Sequence, residues 1–196
     1  MNTNVLLGSL LGVQLISFYF LAQQDSIIKT QNKVEEKDII AIAYIDDMIS
    51  GIKGSVYFYE NQNKDYVTID IHLRGLPKNA VLGFHIHAAG DLSDGCKSAC
   101  AHFNPFNTTH GGQNSNVRHV GDLGNIYTDE YGTCIMNFKD HMIKLRGYIQ
   151  NIIGRSIVIH EKKDDLGKGG NEESLKTGNA GKRIACAVIG YSKKMC

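Results

Sequence analysis

The sequence predicts an all-β domain, a sandwich or barrel of about eight antiparallel strands with two long functional loops. Three observations predict it. Short apolar segments rich in β-branched and aromatic residues recur along most of the chain. Helical periodicity is poor everywhere outside the N-terminal segment. Glycine is abundant at 21 residues while proline is scarce at 2, as expected where many turns join short strands.

The elements follow in chain order. Residues 1–24 contain the uncharged run Val5–Ala22 (VLLGSLLGVQLISFYFLA). A run of that length at the N-terminus reads as an export signal or a membrane anchor. Export would make the protein secreted or lumenal; a membrane enters only if the segment is retained. Residues 25–38 are polar and mixed in charge, and read as a linker. The remaining 39–196 form the predicted domain, bracketed by Ile39–Tyr44 and Arg183–Tyr191.

Between those two lie the expected strands Ser55–Tyr59, Tyr66–Leu73, Val81–His87, Gly132–Phe138, Met142–Arg146 and Ser156–His160. In Tyr66–Leu73, Val67, Ile69, Ile71 and Leu73 alternate with polar or amphipathic neighbours, which gives one buried face. Cys134, Met136 and Phe138 share a face in the same way, so Cys134 reads as an inert core thiol. Gly90–Gly124 and Asp164–Lys182 are too long and too polar for strands. They carry or flank nearly all the reactive side chains, so function is expected there.

A formal net charge of +1, with no basic stripe interleaved with aromatics, argues against nucleic-acid binding. The stretches around Lys168 and Lys182 lack the first glycine of a phosphate loop, which argues against that reading too.

Six of the eight histidines form a pattern. His85 and His87 stand two apart on a strand, so both imidazoles project from one face as aligned donors suited to copper or zinc. His102, His110, His119 and Asp122 follow at spacings that supply three nitrogens and one carboxylate, a plausible tetrahedral zinc set. His160 ends an apolar strand and can deliver a further imidazole. A competing structural zinc site would use Cys96, Cys100, His102 and His110, but it leaves four histidines unexplained. His72 and His141 read as solvated side chains.

These residues resemble the copper/zinc superoxide dismutase family. The resemblance is carried by GFHIH (83–87), HFNP (102–105) with HGG (110–112), RHVGDLGN (118–125) and the long stretch from Val158 to Gly190. It implies a Greek-key β-barrel. Position by position it implies copper on His85, His87, His102 and His160, and zinc on His102, His110, His119 and Asp122. It also implies Asp164 as a carboxylate linking a ligand of each metal, and a disulfide between Cys96 and Cys186. Arg183 would dock superoxide beside the copper, with Lys176 adding to a positive funnel.

The implied reaction converts superoxide to dioxygen and hydrogen peroxide as copper is alternately reduced and reoxidised, with His102 shared between the metals. A homodimer through regions near Ala88–Asp91, Ile152–Ile153 and Val188–Gly190 is implied as well, and loading by a copper chaperone is a further partner to consider. Cys100 is a departure from the family pattern and a rival for Cys186, and Cys196 is an unpaired terminal thiol. Two other functions fit the fold, a chaperone's docking domain and a silent zinc scaffold. The first lacks a Cys-x-x-Cys module, and the second would have lost a copper ligand.

Overall fold

The computed structural model describes residues 38–195. The expected signal or anchor, the linker apart from Asp38, and Cys196 lie outside the described residues. Among the described residues there are nine strands: β1 (Ile39–Asp46), β2 (Lys53–Glu60), β3 (Val67–Arg74), β4 (Val81–His87), β5 (Ser93–Cys96), β6 (Asp122–Tyr127), β7 (Cys134–Asp140), β8 (Ser156–His160) and β9 (Arg183–Tyr191). All but β5 join one sheet in the order β6-β4-β8-β9-β1-β2-β3-β7. Every strand pairing in it is antiparallel.

The sheet divides into two layers of four strands. β2, β3 and β7 extend from β1 along full-length ladders, while β9 joins β1 through Ala41–Tyr191, Ile42–Gly190 and Ala43–Ile189 alone. The inward residues of both layers, among them Phe58, Ile69, Ile71, Phe84, Ile157 and Ile159, make one buried core. Burying such side chains contributes roughly 1.5–3 kcal/mol apiece before the entropy of ordering them is counted. β6 and β7 are the two ends of the sheet order. They meet where the Tyr127 amide donates to Met136 Sδ at 3.3 Å.

The eight-stranded sheet matches the expected count, with β5 outside it, but one member differs. Met142–Arg146 is not a strand. The Asp140 carboxylate accepts from the Met142 and Ile143 amides, Glu60 accepts from the Leu145 amide, and only Lys144 forms an isolated bridge. Side chains thus take the amides that a ladder would have used. The sheet's eighth member is β6, whose first three residues fall within the stretch expected to be loop. β5 also lies in that stretch. Asp164–Lys182 is a loop as expected, apart from one helical turn, α1 (Ser174–Thr177).

Candidate metal centre

β4 sends Phe84 and Ile86 into the core, so His85 and His87 project from the opposite face. Two register shifts fall at the site, between Gly83 and His85 on β4 and between Ile159 and His160 on β8. Such bulges re-aim a side chain where an unbroken ladder could not. His102 comes alongside β4 through an isolated bridge to His87. The result is two clusters of potential ligands. His85, His87, His102 and His160 offer one ligand atom each, all within 4.8 Å of one another, and so do His102, His110, His119 and Asp122. His102 belongs to both, and all seven residues are buried.

Hydrogen bonds decide which nitrogen of each ring is free. His85 Nε2 donates to Asp164 Oδ2 at 2.9 Å, and His110 Nε2 donates to Asp164 Oδ1 at 2.8 Å. Their Nδ1 atoms therefore face the clusters: His85 Nδ1 is buried without a hydrogen-bond partner, and His110 Nδ1 is aimed at Asp122. His87 Nδ1 donates to the Cys100 carbonyl at 2.8 Å, and His160 Nδ1 donates to the Gly181 carbonyl at 3.0 Å. Their Nε2 lone pairs then face each other at 3.3 Å. His102 Nε2 is buried and unpartnered as well. Converging buried lone pairs suit a cation.

The second cluster converges on one oxygen. Asp122 Oδ1 lies 2.8 Å from His102 Nδ1, 3.0 Å from His110 Nδ1 and 3.1 Å from His119 Nδ1. The other oxygen, Oδ2, accepts from the Gly111 and His119 amides. Three nitrogens around one carboxylate match the donor chemistry of tetrahedral zinc.

The electrostatics of the site agree. Burial, with the neighbouring His102 charge, pushes His85 down to about 3 and His87 to about 2. Burial likewise pushes His160 down to about 4 and lowers His102. These rings stay neutral, as ligands must. Burial would also lower His110, but its hydrogen bonds to Asp122 and Asp164 override that and raise it to about 9. Without an ion, a proton is held there by the same two carboxylates. Burial works to raise Asp122 and Asp164, yet their histidine partners hold Asp122 far below the carboxylate range and Asp164 at about 2.

Asp164 is itself held. Its amide and carbonyl pair with the Asn125 side chain at 2.8 and 2.9 Å. Gly178 is left-handed at φ +67°, and a Cβ there would fall 1.8 Å from Asp164 Oδ1, so this approach requires glycine.

A cavity of about 880 Å³ opens over the first cluster, lined by His87, His102, His160, Lys162, Lys176 and Arg183 among others. The Arg183 guanidinium donates to the carbonyls of Cys96, Lys97 and Cys100 at 2.7, 3.2 and 2.6 Å. Lys176 lines the mouth, but its ammonium is 2.6 Å from Glu172, so its charge is partly balanced. Lys162 is a cation on this wall that sequence reasoning does not single out.

Cys96 is bonded to Cys186, which removes the Cys96–Cys100–His102–His110 zinc reading. Cys100 is a free, exposed thiol, and Cys134 is free and buried, with burial pushing its thiol up to about 11. His72 is half exposed beside Asp70, and His141 faces Asp65. Sequence reasoning also misses Arg118. It is buried, pairs with Asp140 at 2.6 Å and donates to the Asp122 carbonyl at 2.9 Å, bracing the loop that carries the second cluster. A lone loop arginine carries no sequence signal of that kind.

The fold and site together define a binuclear metalloprotein, with two adjoining imidazole-rich clusters built on an antiparallel β sandwich. The sequence model of the copper/zinc superoxide dismutase family (SODC) matches residues 52–189. The chain is 59% identical over 158 residues to a superoxide dismutase [Cu-Zn] of Paramecium bursaria Chlorella virus 1, spanning 81% of each. It is 53% identical over 144 residues to that of Neurospora crassa, spanning 74% of this chain and 93% of the relative. The crystal structure of the clock protein EA4 superposes with a TM-score of 0.73 at 44% identity, covering 78% of this chain and 94% of that one. The chain belongs to the copper/zinc superoxide dismutase family. It is an oxidoreductase that converts superoxide to dioxygen and hydrogen peroxide, with copper and zinc as its cofactors.

Proposed function

We propose that His85, His87, His102 and His160 hold the copper, and that His102, His110, His119 and Asp122 hold the zinc. The observation that carries this is His102, whose Nδ1 faces Asp122 while its buried Nε2 has no partner. Copper supplies the one-electron couple and zinc a fixed divalent charge. Two superoxide anions and two protons give one dioxygen and one hydrogen peroxide. His102 Nε2 takes up and releases one of those protons, and solvent in the cavity supplies the other. Asp164 keeps His85 and His110 in the tautomer that leaves Nδ1 free. Arg183, fixed by three carbonyls beside His87, attracts the anion. Lys162 and the partly balanced Lys176 extend the positive field along the wall.

The test is superoxide decay by stopped flow with both metals at full occupancy, comparing the enzyme with His160→Ala at low and high salt. Fast decay that requires His160 and slows as salt rises supports these roles. Undiminished decay in His160→Ala overturns the assignment of copper to this cluster.

We further propose that Val5–Ala22 directs export, on its length, apolarity and N-terminal place. Recovery of processed protein outside the producing cell supports cleavage, carbonate-resistant sedimentation with membranes points instead to a retained anchor, and cytosolic protein overturns the reading. We also propose a homodimer through the Ala88–Asp91, Ile152–Ile153 and Val188–Gly190 regions, where Val188 is 41% exposed, with copper delivered by a chaperone. Sedimentation at micromolar concentration reads the first. Copper occupancy in cells with and without a chaperone reads the second.

A further inference from the structure

The molecule carries one Asn-x-Ser/Thr triplet, Asn107-Thr108-Thr109, and the metal chemistry makes no use of it. Asn107 lies on a turn closed by its amide donating to the Asn104 carbonyl at 3.4 Å. The turn is built by side chains other than the acceptor's own. Asn104 Nδ2 donates to the Thr108 carbonyl at 2.9 Å, and Thr108 Oγ1 donates to the Arg118 carbonyl at 2.8 Å. Asn107 is exposed and left-handed at φ 52°, a conformation asparagine tolerates. No hydrogen bond among the described residues engages the Asn107 side-chain amide or the Thr109 hydroxyl.

The contrast with the other asparagines of this region is informative. Asn104 and Asn125 spend their side chains on the loop framework. Asn107 holds its amide in solvent, and Phe106 beside it is 48% exposed. That leaves an aromatic surface on which the apolar face of a proximal sugar can rest. Asn104, Thr108 and Thr109 line the 880 Å³ cavity, and Asn107 is not among its lining residues. A bulky, hydrated group fits here without displacing a hydrogen bond of the fold.

We propose that Asn107 is an N-glycosylation site, with the glycan standing at the rim of the substrate cavity. This rests on the export reading above, because the donor is a lipid-linked oligosaccharide pyrophosphate of the secretory lumen. The bond formed joins Asn107 Nδ2 to C1 of the terminal sugar. The C1–O bond to the pyrophosphate breaks, the lipid pyrophosphate leaves, and one amide proton is lost to the transferase. The Thr109 hydroxyl is the second recognition element of the triplet.

The experiment expresses the full chain in a secretory eukaryotic host, alongside the same chain with residues 1–24 replaced by a proven export signal. Glycopeptide mass spectrometry then reads Asn107. A glycan on Asn107 in the exported protein, lost in Asn107→Gln and retained in Thr109→Ser, supports the proposal. Its release by an endoglycosidase from the folded enzyme supports the exposed placement. An exported chain with bare Asn107 overturns the proposal. If only the signal-replaced chain is exported and carries the glycan, the site stands and the export reading fails.

Discussion

At the scale of single residues, Asp164 makes the sharpest prediction. Both its oxygens accept from ring nitrogens, and an amide at that position supplies only one acceptor. Asp164→Asn therefore leaves His85 or His110 free to turn its other nitrogen inward. Metal affinity is expected to fall roughly 10–100-fold, read by competition against a chromophoric chelator. Unchanged affinity for both ions sinks the positioning role. Arg183→Lys keeps the positive charge but cannot span three carbonyls with one ammonium. Superoxide decay is expected to slow and to keep its salt dependence, whereas Arg183→Ala loses part of that dependence as well. Most of this site is legible in the sequence because metal chemistry restricts residue type: the His85/His87 pair says little alone, but together with His102, His110, His119 and Asp122 it leaves few other readings. Arg118, Asn125 and the Cys100 carbonyl are not legible. Their roles come from burial and backbone direction, and neither is written in residue identity.

At the scale of elements, the Cys96–Cys186 bond fastens β5 to β9 across 90 residues. Chain-entropy arguments put the stabilisation for a loop of that length at about 4–5 kcal/mol. The double variant Cys96→Ala/Cys186→Ala should lose stability of that order in denaturant unfolding of the metal-free protein. An effect near zero would mean that the loop retains its closure by other contacts. Glu172 and Lys176 sit one turn apart across the N-terminal end of α1, joined at 2.6 Å. Glu172→Gln should free the lysine's charge and speed superoxide decay at low salt, with the gain vanishing at high salt; a gain that persists at high salt would rule out an electrostatic origin. β3 and β9, with one buried face, and β8, buried throughout, are legible because alternation or apolarity marks them. β6 is not, since Asp122, Gly124 and Asn125 interrupt its apolar pattern in the service of the site. Met142–Arg146 misleads for the opposite reason. Its alternation is real, and Ile143 and Leu145 are buried, but Asp140 and Glu60 capture the amides a ladder needs.

At the scale of the whole molecule, the buried histidines link stability to pH. His85, His87 and His160 have folded values of about 3, 2 and 4, against an ordinary 6.5. The unfolded chain therefore binds more protons than the folded one between those values and 6.5, and acidification through that window favours unfolding. Asp164, at about 2, adds a further loss below the ordinary carboxylate value. His110, raised to about 9, acts in the other direction: its contribution is complete below 6.5 and disappears as pH rises through 9. Metal-free protein should be most stable near neutrality, with its denaturant midpoint falling on both sides and more steeply toward acid. A midpoint that is flat from pH 7 to 4 would contradict the burial of these rings.

The two oxygens of Asp164 and the two nitrogens of His102 each reach into both clusters, so the clusters cannot fill as independent equilibria. Whatever factor one ion adds to the affinity of the second, the second must add to the first. Filling either cluster is then expected to change the measured affinity of the other by one factor, whichever ion is added first. Scarcity of either metal is thus felt at both clusters and not at its own alone.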